Sequence, residues 1–265
     1  TLIAETGGNA RCNIVGAGNV PYSGYLDGAW LDNSQDFNDA IAQSISAAES
    51  GCKKKIQDIN VGVPGEFAHV YTVEASVQIQ GADPRVTPKH VNEVFENAAK
   101  LLSPVKGTIL HRSPAWFMVD GGKKTLEPVN MKGSELKAMI SYVVADAFFV
   151  QDIAARLMDL NIRVAGFFST NIGEAMLYLP ESDREQMCVL IDVGYMYTDV
   201  MVVEGDAIIF HQSLALGGAD MAADMSEKLD IHMVAAEKIK RDYVFNLSNI
   251  DQNYTVALES DGIKT

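Results

Sequence analysis

Apolar residues along the chain recur in places at the spacing of a helix and in others at the spacing of a strand. Helical spacing predicts helices over residues 34–51, 88–102, 148–160, 171–179, 218–229 and 233–243. Strand spacing predicts strands over residues 1–4, 10–18, 56–63, 73–79, 108–119, 136–144, 162–168, 187–193, 197–203 and 207–214. The order of these elements predicts a mixed α/β fold.

The clearest alternation lies between Thr72 and Ile79. Apolar and polar side chains take turns there, in the order Thr72, Val73, Glu74, Ala75, Ser76, Val77, Gln78, Ile79. Such alternation is typical of a strand with one buried face and one solvent-exposed face. With the neighbouring helix and strands it predicts a compact α+β unit over residues 61–140, inserted between parts of a larger domain.

Charge and cysteine content narrow the function classes. The 265 residues carry a formal net charge of −14 with a pI near 4.7, which disfavours binding to nucleic acid or directly to anionic membranes. The three cysteines, Cys12, Cys52 and Cys188, form no C-x-x-C pair, and the five histidines show no metal-ligand spacing. A reducing cytoplasm is therefore the expected compartment.

A candidate phosphate site lies in the stretch LIDVGYMYTD, residues 190–199, which has the pattern strand, tight turn, strand. An aspartate at a strand end holds the water ligands of Mg²⁺, so Asp192 is the candidate metal residue. Gly194 lets the backbone approach a phosphate closely, and Thr198 supplies a hydroxyl donor. Many hairpins begin with Asp-x-Gly only because these residues favour a turn. The pattern therefore indicates a phosphate site only in combination with the elements that follow it.

Two further elements follow downstream. Gly217 and Gly218 open a predicted helix, where backbone N–H groups face an anion. Glu237 and Lys240 stand three residues apart on one face of the last predicted helix, an arrangement that a solvated helix surface also explains.

Together these elements resemble the second half of the nucleotide fold of FtsA, the bacterial cell-division ATPase of the actin-like superfamily. The stretch VGVPGEF at residues 61–67 resembles the start of the subdomain that distinguishes FtsA from actin, and ILHRSP at 109–114 resembles a later strand of that subdomain. The resemblance implies an actin-like, ribonuclease H-like fold with an inserted α+β subdomain. Residues 1–60 and 141–183 would form the first actin-like subdomain, 61–140 the insertion and 184–265 the second actin-like subdomain.

The resemblance also implies ligands and partners. ATP or ADP with Mg²⁺ would bind at Asp192, Gly194, Tyr195, Met196, Thr198, Gly217, Gly218, Glu237 and Lys240, with Mg²⁺ held by Asp192 through water. The expected partners are FtsZ and other division proteins, with self-association into filaments or dimers. The protein would be cytoplasmic and peripheral at the inner face of the cell membrane, attached through a tail absent from this chain. We expect a chain incomplete at both ends and lacking the first phosphate loop.

The turn departs from the family where FtsA usually has Gly, Gly and Thr, because Tyr195, Met196 and Tyr197 stand there. We expect weak nucleotide binding and at most a weak Mg-dependent ATPase, with a strain of roughly 1–2 kcal/mol if Met196 adopts a positive φ. The alternative is that Tyr195 and Tyr197 point away from the ligand and leave binding normal.

Three questions stay open at this stage. The pilus-assembly relative PilM also carries a non-glycine turn, so an adaptor for type IV pili is the alternative function. A sugar-kinase-like enzyme is a third class, but no catalytic base is recognisable. Trp116 and Phe117 are either exposed contact anchors of the inserted unit or part of its core.

Overall fold

The computed structural model describes residues 1–6, 12–26, 29–30, 34–102 and 104–243. Its strands are β1 (Leu2–Thr6), β2 (Cys12–Ala17), β3 (Tyr25–Leu26), β4 (Ala29–Trp30), β5 (Asp58–Val63), β6 (Ala68–Gln78), β7 (Thr108–Val119), β8 (Glu135–Ala145), β9 (Arg163–Ser169), β10 (Cys188–Val193), β11 (Thr198–Glu204) and β12 (Ala207–Leu214). Its helices are α1 (Ser34–Cys52), α2 (Pro88–Leu101), α3 (Ala147–Asp159), α4 (Thr170–Tyr178), α5 (Glu181–Arg184), α6 (Gly218–Leu229) and α7 (Met233–Asp242). Residues 10 and 11 of the strand predicted over 10–18 lie outside the described residues.

The chain forms two compact units. Unit 1 comprises Thr1–Leu190 and Val200–Gln212, and unit 2 comprises Ile191–Asp199 and the chain from Ser213 onward, of which residues up to 243 are described. Strands β10, β11 and β12 form one three-stranded sheet in that order.

The inserted α+β unit is a three-stranded antiparallel sheet in the order β6–β8–β7, with α2 packed on one face. Leu136, Ile140 and Val94 are fully buried between the sheet and the helix. Thr87 starts α2 because its hydroxyl accepts a hydrogen bond from the His90 N–H, and Pro88 occupies the first helical position, where no N–H is needed.

The alternation predicted around residues 72–79 is confirmed. On β6, Ala75 and Val77 are buried, while Glu74 and Ser76 are exposed. The exposed face carries an ion pair in which the Lys137 Nζ lies 2.5 Å from a Glu74 carboxylate oxygen. The outward-facing residues of β6 itself are therefore polar and exposed to solvent.

Of the two alternatives left open for Trp116 and Phe117, the structure shows the second, because both are core residues. Only 5% of Trp116 and 3% of Phe117 is exposed to solvent. The two side chains lie on opposite faces of β7. Phe117 joins the core under α2, and Trp116 packs with Ala115 and Ala207. A strand buried on both faces shows no alternation, so the local sequence did not reveal which residues were covered.

A second core forms around the parallel pair β5 and β9, which α1 and α3 cover. Ile45, Val63 and Phe149 are buried in it. Helix α3 ends where expected, because Asn161 adopts a left-handed conformation with φ of 58°, which asparagine tolerates better than most residues. The inserted unit is joined to β9 by a hydrogen bond from the Ser169 N–H to His111 Nε2, 3.0 Å long.

The turn between β11 and β12 is held by its neighbours in unit 1. The Gly205 N–H donates to the Arg184 carbonyl oxygen, and the Arg184 guanidinium pairs with Asp206 at 2.6 Å. Lys124 of the inserted unit pairs with the buried Glu204. Arg184 belongs to α5, a four-residue helix that the apolar pattern did not predict because it contains no apolar residue.

Candidate functional site

The turn between β10 and β11 is closed by a hydrogen bond from the Gly194 N–H to the Tyr197 carbonyl oxygen, 2.9 Å long. Asp192 lies two residues before Gly194, in β10, and is half-buried. Met196 is not among the described non-glycine residues with positive φ. The strain expected for a positive φ at Met196 is therefore absent.

Helix α6 begins directly against this turn. The Gly218 N–H donates to the Gly194 carbonyl oxygen at 2.9 Å, and the Ala219 N–H donates to the Tyr195 carbonyl oxygen at 2.7 Å. The Gly217 N–H donates to a carboxylate oxygen of Asp220 at 2.7 Å. Since unsatisfied N–H groups give a helix N-terminus its affinity for anions, these bonds engage the donors that would meet a phosphate.

The close approach of turn and helix requires a glycine at position 217. A Cβ placed on Gly217 would lie 2.5 Å from the Tyr195 carbonyl oxygen and 2.7 Å from that of Gly194. Both oxygens belong to the backbone and cannot rotate away. Gly217 thus lets the helix meet the turn.

Thr198 is also tied into this arrangement. Its hydroxyl donates to the Leu216 carbonyl oxygen at 2.6 Å, which fixes the residue that precedes the glycine pair. The hydroxyl proton is therefore used within unit 2, and the oxygen keeps its capacity to accept.

Helix α7 closes the site from another side. The Lys240 Nζ donates to the Gly218 carbonyl oxygen at 2.7 Å, lies 2.7 Å from a Glu237 carboxylate oxygen and stands 5.2 Å from the centre of the Tyr195 ring. Arg241 pairs with the other carboxylate oxygen of Glu237 at 2.6 Å. Hydrogen bonds from Lys240 and Arg241 lower the pKa of Glu237, which keeps this carboxylate charged.

The bulky side chains of the turn remain partly in solvent, with 50% of Tyr195 and 37% of Met196 exposed. Within the described part of the chain, the N–H groups of these two residues donate to no other group, and the Asp192 carboxylate has no partner. These are the groups that would meet a magnesium-bound phosphate. The residues present therefore fit such a ligand in part. The turn offers N–H donors and a carboxylate, whereas the N–H groups at the start of α6 already donate to oxygens of this unit.

All nine residues predicted to bind nucleotide lie in unit 2. Contacts link Gly194, Tyr195, Thr198, Gly217, Gly218, Glu237 and Lys240 through the turn and the two helices. Nucleotide binding at these residues stays a prediction. Sequence reasoning missed Asp220, whose carboxylate accepts a hydrogen bond from the Gly217 N–H three residues earlier, at the start of α6.

Family models match two adjoining parts of the chain. The model described as "SHS2 domain inserted in FTSA" matches residues 65–144, which contain β6, α2, β7 and nearly all of β8. The model described as "Type IV pilus assembly protein PilM" matches residues 144–256, which include the turn after Asp192.

Two relatives are cell division proteins FtsA. The FtsA of Streptococcus pneumoniae is 25% identical over 243 residues, and that of Neisseria meningitidis serogroup B is 24% identical over 242. Each match covers 91% of this chain. The chain is thus similar to FtsA proteins over most of its length. It spans 52% and 58% of the length of these two FtsA relatives.

A solved structure supports the fold predicted for this chain. The "PilM-PilN type IV pilus biogenesis complex" aligns with a TM-score of 0.56 at 15% identity, covering 91% of this chain and 66% of that one. At this identity the similarity shows the fold alone, and the fold is the mixed α/β, actin-like one that the sequence predicted.

The described residues contain neither a membrane-spanning helix nor a cluster of metal-binding side chains. No helix there combines the length and hydrophobicity needed to cross a bilayer. No group of three or more His, Cys, Asp or Glu side chains is placed there to hold a metal ion. Asp192 is thus a single carboxylate, the kind of ligand that Mg²⁺ combines with water and phosphate oxygens.

The contact between turn and helix predicts the effect of a single methyl group. Gly217→Ala should lower the free energy of unfolding by about 1–3 kcal/mol, because its Cβ overlaps two backbone oxygens. Chemical denaturation of the purified chain measures this effect.

Gly173→Ala in α4 is the matched control, since its Cβ would meet nothing within 4 Å. It should raise the free energy of unfolding by about 0.5–1 kcal/mol through helix propensity. Equal stability of the two variants would contradict the close contact at Gly217.

Proposed function

We propose that this chain forms the nucleotide-binding part of an FtsA-type cell-division adaptor, which links FtsZ to the inner face of the cell membrane. The observation that carries the proposal is the SHS2 insertion, an intact α+β unit placed in the chain between β5 and β9, the two paired strands of the surrounding domain. The FtsA relatives align across the insertion and both flanks. Membrane attachment would involve parts of the protein outside the aligned region.

Nucleotide binding in this proposal is weak and depends on Mg²⁺. Asp192 would hold the hydrated metal ion, and the N–H groups of Tyr195 and Met196 would donate to phosphate oxygens. The metal ion supplies positive charge that offsets the charge of the phosphates. Affinity is low because the N–H groups of Gly218 and Ala219 already donate to the turn. Any ATP hydrolysis is slow for the same reason.

Protein contacts are the proposed role of the inserted unit. Its β6 face is polar and solvent-exposed, with Thr72, Glu74, Ser76 and Gln78 in a row. The partners would be FtsZ, other division proteins and further copies of the protein in a filament or dimer. Trp116 and Phe117 have no part in this role, because both are buried.

An adaptor for type IV pili is the second candidate. The PilM family model covers residues 144–256, a longer segment than the insertion model covers, and it includes the turn where Tyr195 and Met196 replace glycine. The FtsA proteins of Streptococcus pneumoniae and Neisseria meningitidis align over 91% of this chain, so they cover the insertion as well. This coverage favours the division adaptor.

The metal role of Asp192 predicts a magnesium-dependent loss of binding. Asp192→Asn should weaken Mg·ATP binding by about tenfold, because the amide carries no charge to hold the hydrated ion. Calorimetric titration of ATP with and without Mg²⁺ measures this. Chelating the metal should weaken binding to the unmodified chain and leave the variant unchanged.

Asp224→Asn, which alters an exposed carboxylate on α6 of the same unit, is the control and should bind like the unmodified chain. An Asp192→Asn variant that binds equally well would remove the metal role. Micromolar binding with steady turnover, abolished by Asp192→Ala, would show that the turn side chains do not weaken the site.

The two candidate functions predict different partners in the cell. The full-length native protein, tagged at its own locus and captured after crosslinking, should recover FtsZ, and its fluorescent fusion should lie at the division site. A strain with the tag on an unrelated cytoplasmic protein is the control. Recovery of pilus-assembly proteins without FtsZ would overturn the division proposal in favour of the pilus adaptor.

A further inference from the structure

The Lys240 ammonium group has three close neighbours in the structure. An ammonium group has three N–H donors and no acceptor, and Lys240 faces three different groups. These are the Gly218 carbonyl oxygen at 2.7 Å, a Glu237 carboxylate oxygen at 2.7 Å and the Tyr195 ring, whose centre is 5.2 Å away. The Lys240 side chain is only 17% exposed. A ligand oxygen would therefore meet an ammonium group that already has three neighbours.

The Tyr195 ring is the contact of Lys240 that depends on this chain's own turn sequence. A carbonyl oxygen is present at residue 218 whatever the side chain, and Glu237 lies one helical turn from Lys240 on α7. The ring comes from the turn 45 residues earlier, and glycine at position 195 would leave that side of the ammonium group without a partner. A ring face attracts a cation because its π electrons carry partial negative charge.

The geometry holds Lys240 close to the start of α6. A Cβ on Gly218 would lie 2.8 Å from Nζ, so the ammonium group occupies the space that a side chain there would take. Lys240 therefore joins three segments of unit 2, which are the turn, the first residues of α6 and α7.

We propose that Tyr195 is a gate for nucleotide, because its ring holds the Lys240 ammonium group away from the ligand. This inference rests on the proposed nucleotide binding. A nucleotide oxygen competes with the ring for Lys240, so the chain binds only in the fraction of molecules where Lys240 has left Tyr195. The ring thus lowers the affinity for nucleotide, because it contacts the Lys240 ammonium group that would otherwise pair with a nucleotide oxygen.

The first test measures the contact itself, without nucleotide. Tyr195→Leu, Lys240→Met and the double variant are unfolded by denaturant. The double variant should change the unfolding equilibrium constant by a factor that differs about threefold from the product of the two single-variant factors. A difference of this size is expected for a partly exposed cation and ring. Tyr195→Phe keeps the ring and should show the same coupling as tyrosine. Additive effects in the cycle would overturn the contact.

The second test measures Mg·ATP binding by calorimetry for the same set. Tyr195→Leu should bind about threefold more tightly, because the gain cannot exceed the factor by which the ring contact holds Lys240, and Tyr195→Phe, which keeps the ring, should gain less than Tyr195→Leu. In the Lys240→Met background, Tyr195→Leu should gain less than about twofold, because no ammonium group is left to release. Lys238→Met, which alters an exposed lysine of the same helix, is the control for loss of charge and should leave the gain intact.

The outcomes separate the gate from the proposed function. A gain from Tyr195→Leu that persists with Lys240→Met would mean that the ring blocks the site by its bulk, which overturns the gate. Binding that is equal in all variants would overturn it too. If no variant binds nucleotide at millimolar concentrations, the proposed function fails, and the gate fails with it even where the unfolding cycle shows the contact.

Discussion

Two backbone hydrogen bonds organise unit 2. The Gly218 N–H donates to the Gly194 carbonyl oxygen, and the Ala219 N–H donates to the Tyr195 carbonyl oxygen. Because these donors are the first of helix α6, the turn acts as the helix cap and fixes where the helix begins. The Lys240 Nζ of α7 donates to the Gly218 carbonyl oxygen, and this bond joins α7 to the start of α6.

The same two bonds hold the turn and helix α6 together and at the same time occupy the N–H donors of Gly218 and Ala219. A phosphate and a peptide carbonyl both present oxygen acceptors, so a helix N-terminus accommodates either one. Here the turn supplies the oxygens from within the chain. Among the residues that the structure describes, the Asp192 carboxylate and the N–H groups of Tyr195 and Met196 have no partner. A nucleotide bound here, as proposed, would therefore have to compete with these internal contacts.

Much of the fold could be predicted from local sequence. The alternation at Val73–Ile79 gives the buried face of β6, the pair Thr87-Pro88 gives the start of α2, and Asn161 gives the end of α3, because each signal depends on a few neighbouring residues. The exposure of Trp116 could not be predicted, since it depends on Ala207, 91 residues away along the chain.

The candidate site shows the same limit. Its residues could be gathered from the sequence because the Asp-x-Gly turn, the glycine pair and the acid-x-x-Lys spacing resemble one family in one order. Their hydrogen bonds could not be inferred. The engagement of the Gly218 N–H and the contact between Lys240 and Tyr195 arise from the docking of three segments, and no segment alone carries a signal for it.

The most direct measurement of the central claim is amide hydrogen exchange at Gly218 and Ala219 in the nucleotide-free chain, resolved by NMR. The account predicts slow exchange at both positions, because their donors are bonded to the turn, and faster exchange at Tyr195 and Met196, whose N–H groups have no partner in the described residues. Exchange at Gly218 and Ala219 as fast as at Tyr195 and Met196 would contradict it, since the start of α6 would then be open to a phosphate.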